Sequence, residues 1–202
     1  EEGDNILALQ YGIIDVKRDN VPLAQYLGDK AKLATFRAPN TIYYPFGCNA
    51  SQKKAVEDAL TNQVSIIQGP PGTGKTQTIL NIIANLLLAK KSVLVVSNNN
   101  SAVDNVAEKL EKEGLGFIVA KLGSVENKEL FIANQKEYPQ MEDWRIKETS
   151  SINQQIKQAL RDVSLGFEGQ SKFALLKTEL DALHKEAQYD QMLHDVANEH
   201  KW

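Results

Sequence analysis

The residues with the types and spacing to do chemistry are Gly69-Pro70-Pro71-Gly72-Thr73-Gly74-Lys75-Thr76. They satisfy G-x-x-x-x-G-K-[ST], the Walker A pattern, at every restricted position. Glycines at these places let the backbone curl so that successive N–H groups converge on phosphate oxygens, and the helix that follows presents its positive end to the same anion. Lys75 then reaches the β- and γ-phosphates, and the Thr76 hydroxyl serves a Mg²⁺ ion that keeps most of its waters. The flanks agree with this use. Val64, Ile66 and Ile67 form a β-branched run that predicts a buried strand, and Thr78 to Lys90 carries apolar residues at helical spacing. A Gly/Pro-rich turn that merely precedes a helix is the alternative. With motif and flanks in agreement, residues 69 to 77, Gln77 included, are expected to bind ATP with Mg²⁺, Lys75 and Thr76 being the catalytic pair.

A second candidate lies upstream. Asn49-Ala-Ser-Gln52 precedes Ala55, Val56, Ala59 and Leu60 at helical spacing. Gln52 has two readings that residue chemistry leaves open: N3 partner of an Asn49 cap, or a carboxamide that pairs with the N6 and N7 edge of adenine. Downstream, Val93 to Val96 predicts another strand, followed by Ser97, Asn98, Asn99 and Asn100. Strand ends of this kind are where open parallel sheets place ligands. Ser101-x-x-Asp104 reads as a capping box for a helix bearing Val103, Val106 and Leu110 and ending near Gly114 and Gly116. Exposed amides and a free helix start suit a phosphodiester backbone, which makes Asn99, Asn100, Ser101 and Asp104 nucleic-acid candidates, although caps and turns use the same residues. Phe117 to Ala120 predicts a third strand with Lys121, Leu122 and Gly123 at its exit.

These sites need elements to hold them, and three strand-helix units predict an α/β fold with a parallel sheet, the P-loop NTPase architecture. Length allows one such domain with an attachment, since domains run at about 100–200 residues and the chain has 202. A hydrophobic content of 42% is ample for a core, and a net charge of −3 restricts nucleic-acid contact to a local surface. A single cysteine, Cys48, excludes a disulfide framework and fits a reducing compartment. No apolar run is long enough to span a membrane, and the acidic start EEGDN lacks a signal peptide's basic region, so a cytoplasmic protein is expected. Absence of an initial Met and the abrupt end at Lys201-Trp202 suggest an excised piece.

Residues 1–47 form an N-terminal segment with strand candidates at Ile6 to Leu9, Ile13 to Val16 and Leu33 to Phe36, and a helical turn from Asn20 and Pro22 through Leu23 and Leu27 to Gly28. Tyr43, Tyr44 and Phe46, around Pro45, either pack at a domain joint or stack on a base, packing being the commoner use. Residues 125–202 depart from the sheet pattern. After a turn at Pro139, Ser151-x-x-Gln154 reads as a cap for a helix carrying Ile152, Ile156, Leu160 and Val163, and Gly166 and Gly169 are expected to break it. A second helix from Ser171 carries Phe173, Leu176, Leu180, Leu183 and Ala187, so a helical hairpin is predicted, its seam interrupted by Asp190. His184, His194 and His200 do not share a face and predict no metal site.

One chemical element is missing. Phosphoanhydride hydrolysis needs a strand ending in an acidic pair, and no apolar run after Thr76 ends that way. Glu142-Asp143 follows a turn, Glu57-Asp58 lies within a helix, and neither Arg145 nor Arg161 is an obvious arginine finger.

Taken together, Asn49 to Leu60, IIQGPPGTGKT, VLVVSNNNSAVDNVAEKL and FIVAKLGS resemble the first RecA-like domain of superfamily 1 helicases, in the branch that includes the helicase of nonsense-mediated mRNA decay. The resemblance covers about residues 45 to 124. It implies that Gln52 is the adenine-reading Q-motif residue, residues 69–76 are motif I, and Asn100 with Asp104 belong to motif Ia, which touches the nucleic-acid strand. Asn98 and Asn99 stand where the family often has Pro and Ser, and Lys121 stands where motif Ib usually has Arg. Ring-forming AAA+ ATPases share the phosphate loop but lack both the upstream Gln and the N-x-x-x-D arrangement. Motif II, with its acidic pair, and the second RecA-like domain are absent from the sequence. The expected organisation is therefore an N-terminal segment (1–47), a partial RecA-like ATPase domain (48–124) and a helical insertion (125–202). The function so implied is the ATP-binding part of a helicase or translocase moving on single-stranded DNA or RNA, inactive by itself. A protein-remodelling ATPase with a partner-binding helical arm is the alternative of a different class.

Overall fold

The computed structural model describes residues 12–13, 22–27, 33–134 and 149–199, in two compact units, Glu1–Gln140 and Met141–Trp202. The expected features at Ile6 to Leu9, Asn20, Gly28, Pro139, Glu142-Asp143, Arg145 and His200 lie outside the described residues, as does all but Ile13 of the segment Ile13 to Val16. Ile13 itself is helical rather than extended.

In the first unit α1 (Pro22–Leu27) is followed by α2 (Ala50–Thr61), α3 (Lys75–Leu88), α4 (Asn100–Lys112), a 3₁₀ turn (Gly116–Ile118) and α5 (Val125–Ala133). Local chemistry explains their limits. Asn49 caps α2: its Oδ1 accepts from Gln52 N–H and the Gln52 carboxamide accepts from Asn49 N–H, each at 2.8 Å. At the end of α4, Gly114 takes φ +75°, its N–H donates to Glu111 O, and Leu115 N–H reaches back to Leu110 O. Those paired bonds with a left-handed residue form a Schellman stop, and they fold Leu115 back onto the core. α3 ends the same way with Lys90 at φ +57°.

The core is Leu80 and Ile83 of α3 against Val106 and Leu110 of α4, sealed by Phe46, Val93, Val95, Leu115 and Val119. α2 packs on the other flank of α3 through the fully buried Val56.

The expected parallel α/β sheet is not present among the described residues. They hold no strand, only one antiparallel bridge between Thr35 and Asn62. Periodicity sets which side chains face inwards, and Val93 and Val95 do turn to the core while Leu94 and Val96 stay exposed. A ladder requires in addition a neighbour about 4.8 Å away to exchange N–H and C=O groups, and neither Val64 to Ile67 nor Val93 to Val96 acquires one. The third predicted strand is replaced by the 3₁₀ turn. Ile118 and Val119 N–H donate locally to Leu115 and Gly116 carbonyls, so that backbone is satisfied without a partner strand.

The second unit contains α6 (Thr149–Glu199), one unbroken helix of 51 residues. The predicted hairpin is thus corrected to a single rod, about 76 Å long at 1.5 Å per residue. Gly166 and Gly169 weaken a helix by about 1 kcal/mol each without supplying any competing turn, and the hydrogen-bond ladder continues through them. Ser151 lies inside the first turn instead of capping it. Among the described residues no helix is long and apolar enough to cross a membrane. Nothing lies within 4 Å of a methyl group added at Gly166 or Gly169. Alanine at either position should therefore raise helix stability by about 0.5–1 kcal/mol, read as later loss of the 222 nm circular-dichroism signal on heating. Loss of helicity in the variants would show that the glycines meet something there.

Candidate phosphate-binding site

Residues 68–74 connect the extended Val64 to Ile67 run to α3, and the loop turns on two left-handed glycines, Gly72 at φ +84° and Gly74 at φ +79°. Gly74 is also the N-cap of α3. Thr73 steadies the turn by donating its hydroxyl to Pro70 O at 2.8 Å, and it sits so near Gly69 that a Cβ there would lie 2.6 Å from Thr73 Oγ1. The exposed Lys75 folds back over the loop, its Nζ donating to Gly69 O at 2.6 Å and to Pro70 O at 2.9 Å. Its cation is thereby held at the loop mouth on two neutral carbonyls, partners that a phosphate polyanion outcompetes.

A cavity of about 700 Å³ opens beside this loop. One wall is Pro71, Gly72 and Gly74 with Lys75, Thr76 and Gln77 of the first turn of α3; the rest comes from Phe46, Leu80 and the C-terminal end of α4. Lys109, Lys112 and Glu113 face it from α4. A glycine-turned loop, a free helix start and Lys75 are the donor set a triphosphate needs, and the Thr76 hydroxyl beside them suits a Mg²⁺ ion that takes most of its ligands from water and phosphate. Among the described residues no group of three or more His, Cys, Asp or Glu side chains gathers into a metal site of another kind.

Gln52 joins this loop to α2. Besides closing the cap with Asn49, its buried Nε2 lies 3.3 Å from Thr73 O, 3.2 Å from Gly74 O and 3.1 Å from Gln77 Oε1. Its carboxamide is engaged at both ends. Gln52→Ala should cost about 1–2 kcal/mol in a thermal melt, as lost caps do, and should also weaken ATP by loosening Thr73 and Gly74. Asn49→Ala, which removes the cap while leaving the loop contacts, is the comparison: isothermal titration should show the larger ATP loss for Gln52→Ala, and equal ATP losses would reduce Gln52 to a cap.

The nucleic-acid candidates stand at the other end of α4, about 18 Å from Lys112 along the helix at 1.5 Å per residue. The structure corrects the cap assignment there. Asn99, not Ser101, is the N-cap, its Oδ1 accepting from Ser101 N–H at 3.0 Å and from Ser101 Oγ at 2.8 Å. Asp104 instead forms an ion pair with Lys121 at 3.0 Å, which brings the two segments of motif Ia and Ib resemblance together. Asn100 is exposed. Cys48 is half-buried, and burial above all pushes its thiol up from the ordinary range, which suits a packing role rather than a nucleophile.

Two groups of residues at the site escaped the sequence reading. Lys109 and Lys112 carry no motif, and only the packing of α4 turns them towards the loop. Asn81 and Asn85 had a legible signal: with Gln77 they form a carboxamide stripe at four-residue intervals within a helix that is apolar at all other positions from Ile79 to Leu88.

The chain matches the AAA domain family over residues 47–201. It is 38% identical over 112 residues to DNA polymerase alpha-associated DNA helicase A of Schizosaccharomyces pombe, 55% of this chain and 16% of that protein. Regulator of nonsense transcripts 1 of Caenorhabditis elegans is 48% identical over 71 residues, 35% of this chain and 7% of that protein. ATP-dependent helicase NAM7 of Saccharomyces cerevisiae is 41% identical over 87 residues, 43% of this chain and 9% of that protein. The chain therefore spans only a small part of the length of these relatives, and no solved structure matches it significantly. With its phosphate loop, upstream Gln52 and this match, the chain belongs to the AAA domain family, as the first RecA-like domain sequence of a superfamily 1 helicase in the nonsense-mediated-decay branch.

Proposed function

We propose that this chain is the ATP-binding part of an ATP-dependent helicase or translocase that couples hydrolysis to movement along a single strand of DNA or RNA. The observation that carries the reading is Lys75, held at the mouth of a glycine-turned loop beside a cavity at the start of α3. Residues 69–77 hold the triphosphate, Thr76 serves Mg²⁺, and Gln52 ties the loop to α2 where it can also meet the adenine edge. The metal, when bound, neutralises charge that develops on the transferring phosphoryl group. Lys75 does the same from the protein, while the loop N–H groups orient the phosphates. Asn99, Asn100, Ser101 and Asp104 meet the strand backbone, residues 48–124 form the ATPase part, and 125–202 an inserted helical arm. A second RecA-like domain completes the nucleotide site and the strand groove in the whole protein, and the chain alone does not turn ATP over. Cys48 as the sole cysteine fits a reducing cytoplasm.

The test is ATP turnover by the whole protein with and without a single-stranded oligonucleotide. Strand-stimulated hydrolysis is expected. Hydrolysis indifferent to strands but stimulated by a protein partner would favour a remodelling ATPase, for which the exposed Phe173, Leu176, Leu180 and Leu183 on α6 offer a contact face.

A further inference from the structure

We propose that Phe46 is the platform on which the base of the nucleotide stacks, and that Gln77, Asn81 and Asn85 are the positioning residues that hold it at the cavity. This rests on the reading of residues 69–77 as the triphosphate site, and it adds a base contact outside the phosphate loop.

Two amides of α3 stand in the wrong place for a core. Asn81 is 0% exposed and Asn85 6%, on the same helix as the core residues Leu80 and Ile83, where leucine would bury more apolar surface. Buried amides persist where their hydrogen bonds are met, and apart from Asn85 Nδ2 donating to Asn81 O at 2.8 Å within the helix, the bonds of these two go to a single short segment. Asn85 Oδ1 accepts from Tyr43 N–H at 2.8 Å and its Nδ2 donates to Tyr43 O at 2.6 Å. Asn81 Oδ1 accepts from Phe46 N–H at 3.2 Å and its Nδ2 donates to Gly47 O at 2.8 Å. Gln77 Nε2 donates to Phe46 O. One face of α3 thus supplies the donors and acceptors that a neighbouring strand would supply in a sheet.

The clamped segment is a tight turn. Gly47 N–H donates to Tyr44 O at 2.9 Å across Pro45 and Phe46, and Gly47 takes φ +72°, which glycine tolerates. Both polar backbone groups of Phe46 are therefore spoken for by α3, and its ring has a set position: it packs against the core cluster and lines the cavity that Lys75 and Thr76 also line. Pro71 and Leu80 are the other apolar side chains at the cavity, and neither offers a ring with a π-face. Phe46 is the flat π-surface available to a base whose phosphates lie on the loop. Stacking uses the face of a base rather than its edge, so the platform tolerates either purine.

The experiment is isothermal titration of the chain with two Mg²⁺-bound ligands, ATP and inorganic tripolyphosphate, which share phosphates but not a base. Phe46→Ala should raise the ATP Kd about tenfold, the size of one base–aromatic stack, while changing the tripolyphosphate Kd by less than about twofold. Phe46→Tyr should restore ATP affinity, and Phe46→Trp should show fluorescence quenched by ATP and not by tripolyphosphate. Asn81→Ala, which leaves the ring but releases its backbone, should reproduce the ATP-selective loss. If that variant does not fold, the Tyr and Trp variants, in which the clamp is intact, decide the matter. Equal changes for the two ligands at Phe46→Ala, or none for either, overturn the platform. Lys75→Ala separates this from the underlying reading: if it weakens both ligands while Phe46→Ala spares both, the platform falls alone, and if both ligands are indifferent to Lys75 the triphosphate site falls first.

Discussion

Lys75→Ala is expected to lower ATP affinity by at least about 100-fold while leaving the fold intact. The lysine donates charge-assisted bonds to phosphate, worth about 1.5–3 kcal/mol each, and two such bonds exceed the 2.7 kcal/mol that a 100-fold change represents. Stability should hardly move, because Lys75 is exposed and its partners, Gly69 O and Pro70 O, belong to an exposed stretch of loop that water can satisfy. A thermal melt with ATP at about 100 times the wild-type Kd makes the contrast visible. Ligand binding adds about 2.7 kcal/mol there, or about 5–10 °C for a chain of this size. The wild-type chain should show that rise and the variant should not. A full ATP-dependent rise in Lys75→Ala would remove the phosphate assignment.

Gly74→Ala should be the most damaging single methyl group in the loop. At φ +79° an L-residue costs about 1–2 kcal/mol, and the new Cβ would lie 2.2 Å from Gln52 Nε2 and 3.2 Å from Gln77 Oε1. Gln52 must then leave, giving up its contacts to Thr73 O and Gly74 O and leaving buried polar groups unpaired, about 1–2 kcal/mol more. The sum of about 3 kcal/mol should lower the melting temperature by about 6–12 °C. Gly72→Ala is the internal control. Its φ is +84°, but nothing lies within 4 Å of an added Cβ, so only the backbone penalty of about 1–2 kcal/mol applies. Equal losses at the two positions would mean that Gln52 does not pack against Gly74 in solution.

The features legible in the sequence were those whose cause is local. The phosphate loop is recognisable because G-x-x-x-x-G-K-[ST] states its own geometry, left-handed glycines followed by a helix start. The Asn49 and Gln52 capping box and the stop at Gly114 depend on backbone groups three to five residues away, so their spacing is written directly in the chain. The inward turn of Val93 and Val95 follows from a period of two. The cap falls at Asn99 rather than Ser101 because Asn99 offers the same chemistry two residues earlier, and Asp104 finds a stronger partner in Lys121.

What the tertiary structure alone decided depends on groups far apart in sequence. Whether an extended run becomes a strand is a property of its neighbour, so apolar, β-branched composition could make Val64 to Ile67 and Val93 to Val96 extended without pairing them. Gly166 and Gly169 carry a local penalty, but continuing a helix already formed costs less than stopping it, and α6 runs through both. The clamp of Asn81 and Asn85 on residues 43–47 spans 34 to 42 positions in sequence, and Lys109 and Lys112 reach the cavity only because α4 packs on α3. By itself, then, the sequence determined where the glycine-turned loop lies, where α2 begins and where α4 stops, because turns and caps are contracts between near neighbours. The packing of α3 against α4 and the 43–47 turn decided what surrounds that loop, because burial and hydrogen-bond pairing at long range are settled only when the whole unit closes.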